Sequence, residues 1–188
     1  MTQSNQRVED PHQYLILAFE YYVAGRFAAL TQLRIAANLL HHAIELLLKH
    51  GLLQQVPEAR LPGEIKKLRQ LPYMHNLDEL WPEYKRSASN LHLARFDSTV
   101  TELNQWEDLR YGGFPTGVAT TMVFSPRRDD QRRQRVQNPD TYVLVLEDID
   151  ELFAEILAAS GINPKYLGVR FDSNTAIKDW YLRENQFP

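Results

Sequence analysis

The chain has 188 residues, a formal net charge of −3 and no cysteine. That length suits one domain, or one domain with an appendage, and is enough to bury a sizeable core. The small net charge excludes a global field that would draw the chain to nucleic acid or an acidic membrane, and the lack of cysteine excludes disulfides, thiolate metal sites and a cysteine nucleophile.

The start, MTQSNQRVEDPHQY, lacks a charged-then-apolar signal pattern, and no apolar stretch approaches a membrane span. A cytoplasmic protein without membrane contact is expected. No internal repeat occurs at solenoid spacing.

Asp10-Pro11 predicts the start of a first helix, an N-cap followed by proline at the first helical position. Tyr14, Leu17, Ala18, Tyr21 and Tyr22 give it an apolar face to about Ala24. Gly25 is expected to interrupt the helix. A second helix then runs from about Phe27 to His50, with Gly51 as its stop. Residues 54–72 are mixed, with three prolines and a short basic helical piece around Ile65 to Leu68.

A third helix is expected near Asn76, over LDELWPEYKR, kinked or split by Pro82. A fourth spans about Asn90 to Leu109 on a seam of Leu93, Phe96, Val100, Leu103 and Trp106, and Gly112 and Gly113 end it.

The period then changes. Val118–Phe124 and Tyr142–Leu146 are rich in β-branched and aromatic residues and read as two strands of a β-hairpin, joined by the long charged loop SPRRDDQRRQRVQNPD. A fifth helix follows over about Asp148 to Ser160, closed by Gly161. The tail adds a short helix from Ser173 or Asn174 that carries Ile177, Trp180 and Tyr181. The fold class is therefore mainly α. It is a single domain, a four- to five-helix bundle with a small β-hairpin insertion at 117–146 and a tail over 164–188.

The second helix carries the strongest functional signal. At 100° per residue, Leu33, Leu40, Ile44 and Leu47 take one side, and Ile35, Leu39, Ala43 and Leu46 take others. A narrow polar strip remains: Arg34, Asn38, His41, Glu45 and Lys49. A helix apolar on most sides is normally buried, and buried polar groups must be paired or functional. Glu45 is placed to pair with Lys49 and with His41.

Two readings of the strip stand side by side. One is a solvated or dimer-facing edge. The other is a ligand-binding cleft in which Arg34 and Lys49 hold phosphate while His41 exchanges a proton. An enzyme built on the strip would use Arg34, His41 and Glu45.

Arg110 continues the apolar seam of the fourth helix one heptad beyond Leu103, so it needs a partner, and Glu45 or a nucleotide phosphate would serve. Tyr111 beside it can stack on a base or fill core. The loop arginines Arg127, Arg128, Arg132, Arg133 and Arg135 form either a solvated run or an RNA-contact loop. No metal and no cofactor is expected. His41 and His42 point about 100° apart on a regular helix, and no His-x-x-x-His, phosphate-cradling glycine loop or Gly-x-Ser-x-Gly elbow occurs.

Three segments in order, AIELLLKHGL, MHNLDEL and EDLRYGGFP, resemble the HEPN family (higher eukaryotes and prokaryotes nucleotide-binding). They resemble its second-helix signature, the opening of its third helix and the end of its last core helix. The resemblance covers roughly residues 10–115. It implies a four- or five-helix bundle that forms a homodimer, binds RNA or a nucleotide, and works with a nucleotidyltransferase-type partner protein in a defence or toxin–antitoxin setting.

Ribonuclease members of the family carry an arginine, a gap of four to six residues and a histidine at the end of the last core helix. Arg110 holds the arginine's place, but Pro115, Thr116 and Gly117 follow where the histidine belongs. A weak or inactive ribonuclease, and so no enzyme of that kind, is expected. The same spacing recurs at Arg7 with His12, Arg34 with His41, Arg69 with His75 and Arg86 with His92. Of these, Arg34 and His41 project from one face of a single predicted helix. The alternative function is a protein-interaction or dimerisation module without nucleic-acid binding.

Overall fold

Asp10 opens α1 (Pro11–Ala28) by accepting the His12 N–H at 2.9 Å, while Pro11 takes the first helical position, where a missing N–H costs nothing. The computed structural model describes residues 10–29, 33–88, 90–107, 119–123 and 141–165, together with 175, 178 and 179.

Gly25 does not interrupt α1. A Cβ there would lie 2.8 Å from Leu40 Cγ, so the glycine serves the close approach of α1 to α2 (Leu33–Gln54). Gly51 likewise stands inside α2 instead of ending it, because a Cβ at Gly51 would run into the Tyr84 ring. Both glycines are packing positions. For that reason α2 starts later and ends later than the sequence predicts.

A short 3-10 turn (Glu58–Arg60) leads into α3 (Leu61–Leu68), which buries Ile65 and Leu68. The chain then turns through a cis Leu71–Pro72 bond and a left-handed His75, with φ of 57°. Asn76 accepts the Asp78 N–H at 3.1 Å and caps α4 (Leu77–Ala88). Pro82 lies inside α4, which stays one helix. Pro82 and Asp78, whose carbonyl it cannot serve, are both exposed, so water can take the lost bond.

Asn90 caps a 3-10 stretch (Leu91–Phe96) that continues into α5 (Asp97–Gln105). The predicted seam of Leu93, Phe96, Val100, Leu103 and Trp106 is buried throughout. The predicted end of this helix, around Leu109 and Gly112, lies outside the described residues, as does most of the predicted tail helix.

The two strands, β1 (Ala119–Val123) and β2 (Thr141–Val145), lie where the residue types place them, but they pair in parallel, from Ala119 with Thr141 to Val123 with Val145. The expected β-hairpin is therefore wrong. A hairpin turn joins antiparallel neighbours, whereas a parallel pair needs a connection of a dozen or more residues, and 124–140 supply that length. The α6 helix (Leu146–Ala159) follows β2 directly, and Gly161 in the left-handed region (φ 72°) ends it.

The architecture is mainly helical, with six α-helices among the described residues. One buried cluster draws on all six helices and β2, and α2 packs against the other five. Phe153 of α6 stacks on Tyr22 at 4.4 Å and meets Phe19 edge-on at 5.8 Å. Beside them the buried Asp150 accepts from the Tyr22 hydroxyl and pairs with Arg26 at 3.3 Å, which ties α6 to α1. No helix among the described residues is long and apolar enough to cross a membrane.

Candidate functional site

The polar strip of α2 runs from the surface into the interior. Arg34 is exposed and Asn38 half-buried, whereas His41, Glu45 and Lys49 are 0%, 2% and 4% exposed. The second half of the strip is thus buried within one chain and is not a solvated edge. Glu45 and Lys49 pair at 2.6 Å in the predicted i, i+4 geometry. His41, predicted to pair with Glu45, instead places Nδ1 3.4 Å from Glu107 beyond α5. Its neighbour His42 takes the Glu45 partnership at i+3, with Nδ1 3.0 Å from Oε2.

His75 reaches the same carboxylate from the turn before α4. Its ring Nδ1 lies 3.1 Å from Glu45 Oε2, and its backbone N–H donates to Oε1 at 3.4 Å. Non-glycine residues seldom adopt a left-handed backbone. Here the backbone and ring of His75 are both held by one side chain. Burial pushes the Glu45 pKa up, but the His42 hydrogen bond, the Lys49 charge and the bonds from Lys49 and His75 outweigh it and hold the group well below the usual carboxylate range. An ionised carboxylate only accepts, so both imidazoles present Nδ1–H to it.

Glu45 and His75 form one wall of a cleft of about 790 Å³. Its other walls are Asp10, Gln13, Tyr14 and Leu17 from the start of α1, and Arg69 and Met74 from the turn after α3; Leu46 and Lys49 complete the α2 side. Arg69 Nε donates to the Tyr14 hydroxyl at 3.2 Å, which steadies the guanidinium at the rim. His50 donates Nδ1–H to the Pro11 carbonyl at 3.0 Å, fixing the last turns of α2 against the start of α1. The volume is that of a small-molecule or nucleotide site.

No family model, curated protein or solved structure matches this chain. What the cleft does must follow from its chemistry.

Of the predicted site residues, Glu45 and Lys49 meet at the cleft wall, while Arg34 and His41 stand elsewhere on the helix, one exposed and one facing Glu107. Arg110, Tyr111 and the loop arginines Arg127, Arg128, Arg132, Arg133 and Arg135 lie outside the described residues. The sequence does not point to His42, and it offers Arg69 with His75 only as one of four arginine–gap–histidine matches. Their only signal was that arginine–gap–histidine pattern and the MHNLDEL segment. Neither shows that the turn folds back onto α2. Folding also brings ligand-type atoms of His42, Glu45 and His75 within 4.8 Å of one another, although no metal-binding spacing is visible in the sequence.

Proposed function

We propose that the protein binds a phosphate-bearing ligand of the nucleotide or RNA class in the cleft between α1, α2 and residues 69–75. The observation that carries this reading is the convergence of Lys49, Arg69 and His75, from separate stretches of chain, on one cleft of about 790 Å³. Arginine offers a planar fork to phosphate oxygens and lysine a point charge, while the exposed faces of Leu17 and Met74 supply apolar contact for the rest of the ligand.

The HEPN resemblance supports the same ligand class. On it alone rest a homodimer, a nucleotidyltransferase-type partner and a defence or toxin–antitoxin setting. With no histidine following Arg110 at the family spacing, the protein is a binder and not an active ribonuclease in this reading.

The test is binding of fluorescent ATP and of a 5′-phosphorylated RNA oligonucleotide at two salt concentrations. Binding at low salt that weakens with salt and falls roughly tenfold or more in Arg69→Ala, the loss of a charged hydrogen bond, is expected. An absence of binding at low salt contradicts the reading and favours a protein-interaction module. That second reading has its own support: Leu17 and Met74 are 41% and 43% exposed, and both line the cleft.

A further inference from the structure

His42 and Glu45 stand one turn apart on α2, and His75 comes to them from the turn before α4. Both ring Nδ1 atoms converge on a single oxygen, Glu45 Oε2, at 3.0 and 3.1 Å. The two rings meet edge-on with centroids 5.3 Å apart. In a tetrahedral zinc site the bonds to nitrogen and oxygen are about 2.0–2.2 Å, which sets neighbouring ligand atoms about 3.3 Å apart. The spacing of each imidazole to the carboxylate is therefore close to that of two ligands on one ion.

We propose that His42 Nδ1, Glu45 Oε2 and His75 Nδ1 bind one divalent transition-metal ion of the zinc class. Imidazole with a single carboxylate suits zinc and its first-row neighbours, whereas magnesium and calcium call for several oxygen ligands. On binding, each ring carries its proton on Nε2 and offers the Nδ1 lone pair, so the two Nδ1–H bonds are replaced by metal bonds. Glu45 Oε1 keeps Lys49 at 2.6 Å and the His75 N–H, so the carboxylate stays oriented while Oε2 turns to the metal. The left-handed backbone of His75 then has a purpose beyond a hydrogen bond, since it turns this ring toward the oxygen that His42 shares.

Two of the three ligands, Glu45 and His75, line the cleft, so the site adjoins it. Three protein ligands with one open position is the pattern of zinc sites that take a water or substrate. Without the ion, Lys49 and Arg69 on the cleft wall are offset by Glu45 and Asp10. A dication adds two positive charges there and draws phosphate more strongly. The metal site itself rests on its three ligands and not on the phosphate reading.

The experiment uses the full chain, stripped with a chelator and dialysed, with no nucleotide present. Zinc is titrated in competition with a chromophoric chelator, and cobalt is followed by its visible absorption. One equivalent should bind. His42→Ala and His75→Ala should each weaken binding by at least the roughly 10- to 100-fold that loss of an outer partner costs, while His92→Ala, at an exposed position away from the cluster, should bind as the wild type does.

Folding of each variant is followed by circular dichroism. In the wild-type chain, zinc should shift the imidazole resonances of His42 and His75 and leave those of His92 in place, a readout that needs no variant. Failure of the wild type to bind one equivalent overturns the proposal. So does binding that survives in both His42→Ala and His75→Ala, or zinc-induced shifts that spare the two rings.

Discussion

His75 is held to Glu45 across 30 residues of sequence by two bonds, ring Nδ1 at 3.1 Å and backbone N–H at 3.4 Å. With Lys49 at 2.6 Å and His42 at 3.0 Å, they make Glu45 the point at which α2 and the turn after α3 are joined. Removing the carboxylate leaves Lys49 buried without its counter-charge. Glu45→Ala should cost about 3–5 kcal/mol in urea unfolding, whereas the double variant Glu45→Leu/Lys49→Met should recover most of that loss. A loss below about 1 kcal/mol, typical of an exposed pair, would contradict a buried hub.

Asp150 predicts a second vulnerable point. It is buried at the start of α6, pairs with Arg26 at 3.3 Å and accepts the Tyr22 hydroxyl. Asp150→Asn should destabilise by about 3–5 kcal/mol, because a charged partner is left in the core. Tyr22→Phe, which removes one hydrogen bond to a charged group and keeps the ring stack on Phe153, should cost about 1.5–3 kcal/mol. Denaturant midpoints of the two variants check the order.

Gly51 and Gly63 should respond in opposite directions to alanine. A Cβ at Gly51 meets the Tyr84 ring, whose hydroxyl is pinned to the Ile156 carbonyl and Ser160 Oγ at 3.1 Å each. Overpacking of about 1–3 kcal/mol should outweigh the gain in helix propensity, so Gly51→Ala destabilises. Gly63 in α3 has nothing within 4 Å of the added carbon. Gly63→Ala should stabilise by about 0.4–1 kcal/mol. Thermal melts of the two variants on either side of the wild type are the check.

His50 sets a pH dependence. Burial lowers its pKa from 6.5, the bond to the Pro11 carbonyl opposes this, the His12 charge adds to it and Asp10 opposes it, with a net lowering. Below about pH 6.5 the unfolded chain takes up a proton that the folded chain refuses, so stability falls with pH until the folded-state pKa is passed. His50→Asn keeps a donor for the Pro11 carbonyl and does not titrate. The fall in urea midpoint between about pH 7.5 and pH 5 should be smaller in this variant than in the wild type. An equal fall in both would exclude His50 as a source.

The sequence shows most elements but little of the site, and the reasons are physical. Helical periodicity places α5 on Leu93, Phe96, Val100, Leu103 and Trp106, and the Asp10-Pro11 cap fixes the start of α1. Gly25 and Gly51 mislead because a glycine needed for close helix packing has the same local signature as a helix stop, and only Leu40 and Tyr84 tell them apart. The strands are legible from β-branched residues, but the direction of their pairing is not a local property.

Of the strip Arg34, Asn38, His41, Glu45 and Lys49, the cleft takes Glu45 and Lys49. Which partner each residue takes depends on a few tens of degrees of rotation, so Glu45 meets His42 while His41 faces Glu107. Arg69 and His75 join the site only because the turn after α3 folds back onto α2. No residue spacing encodes that.

Whether ligand binds in the cleft over Glu45 is decided by amide chemical-shift mapping of the labelled chain during titration with ATP or a 5′-phosphorylated RNA oligonucleotide. The largest shifts are expected at Gln13, Tyr14, Lys49, Arg69 and His75, which surround the cleft. Shifts confined to the arginines between Arg127 and Arg135, with the cleft amides unmoved, would contradict binding in the cleft.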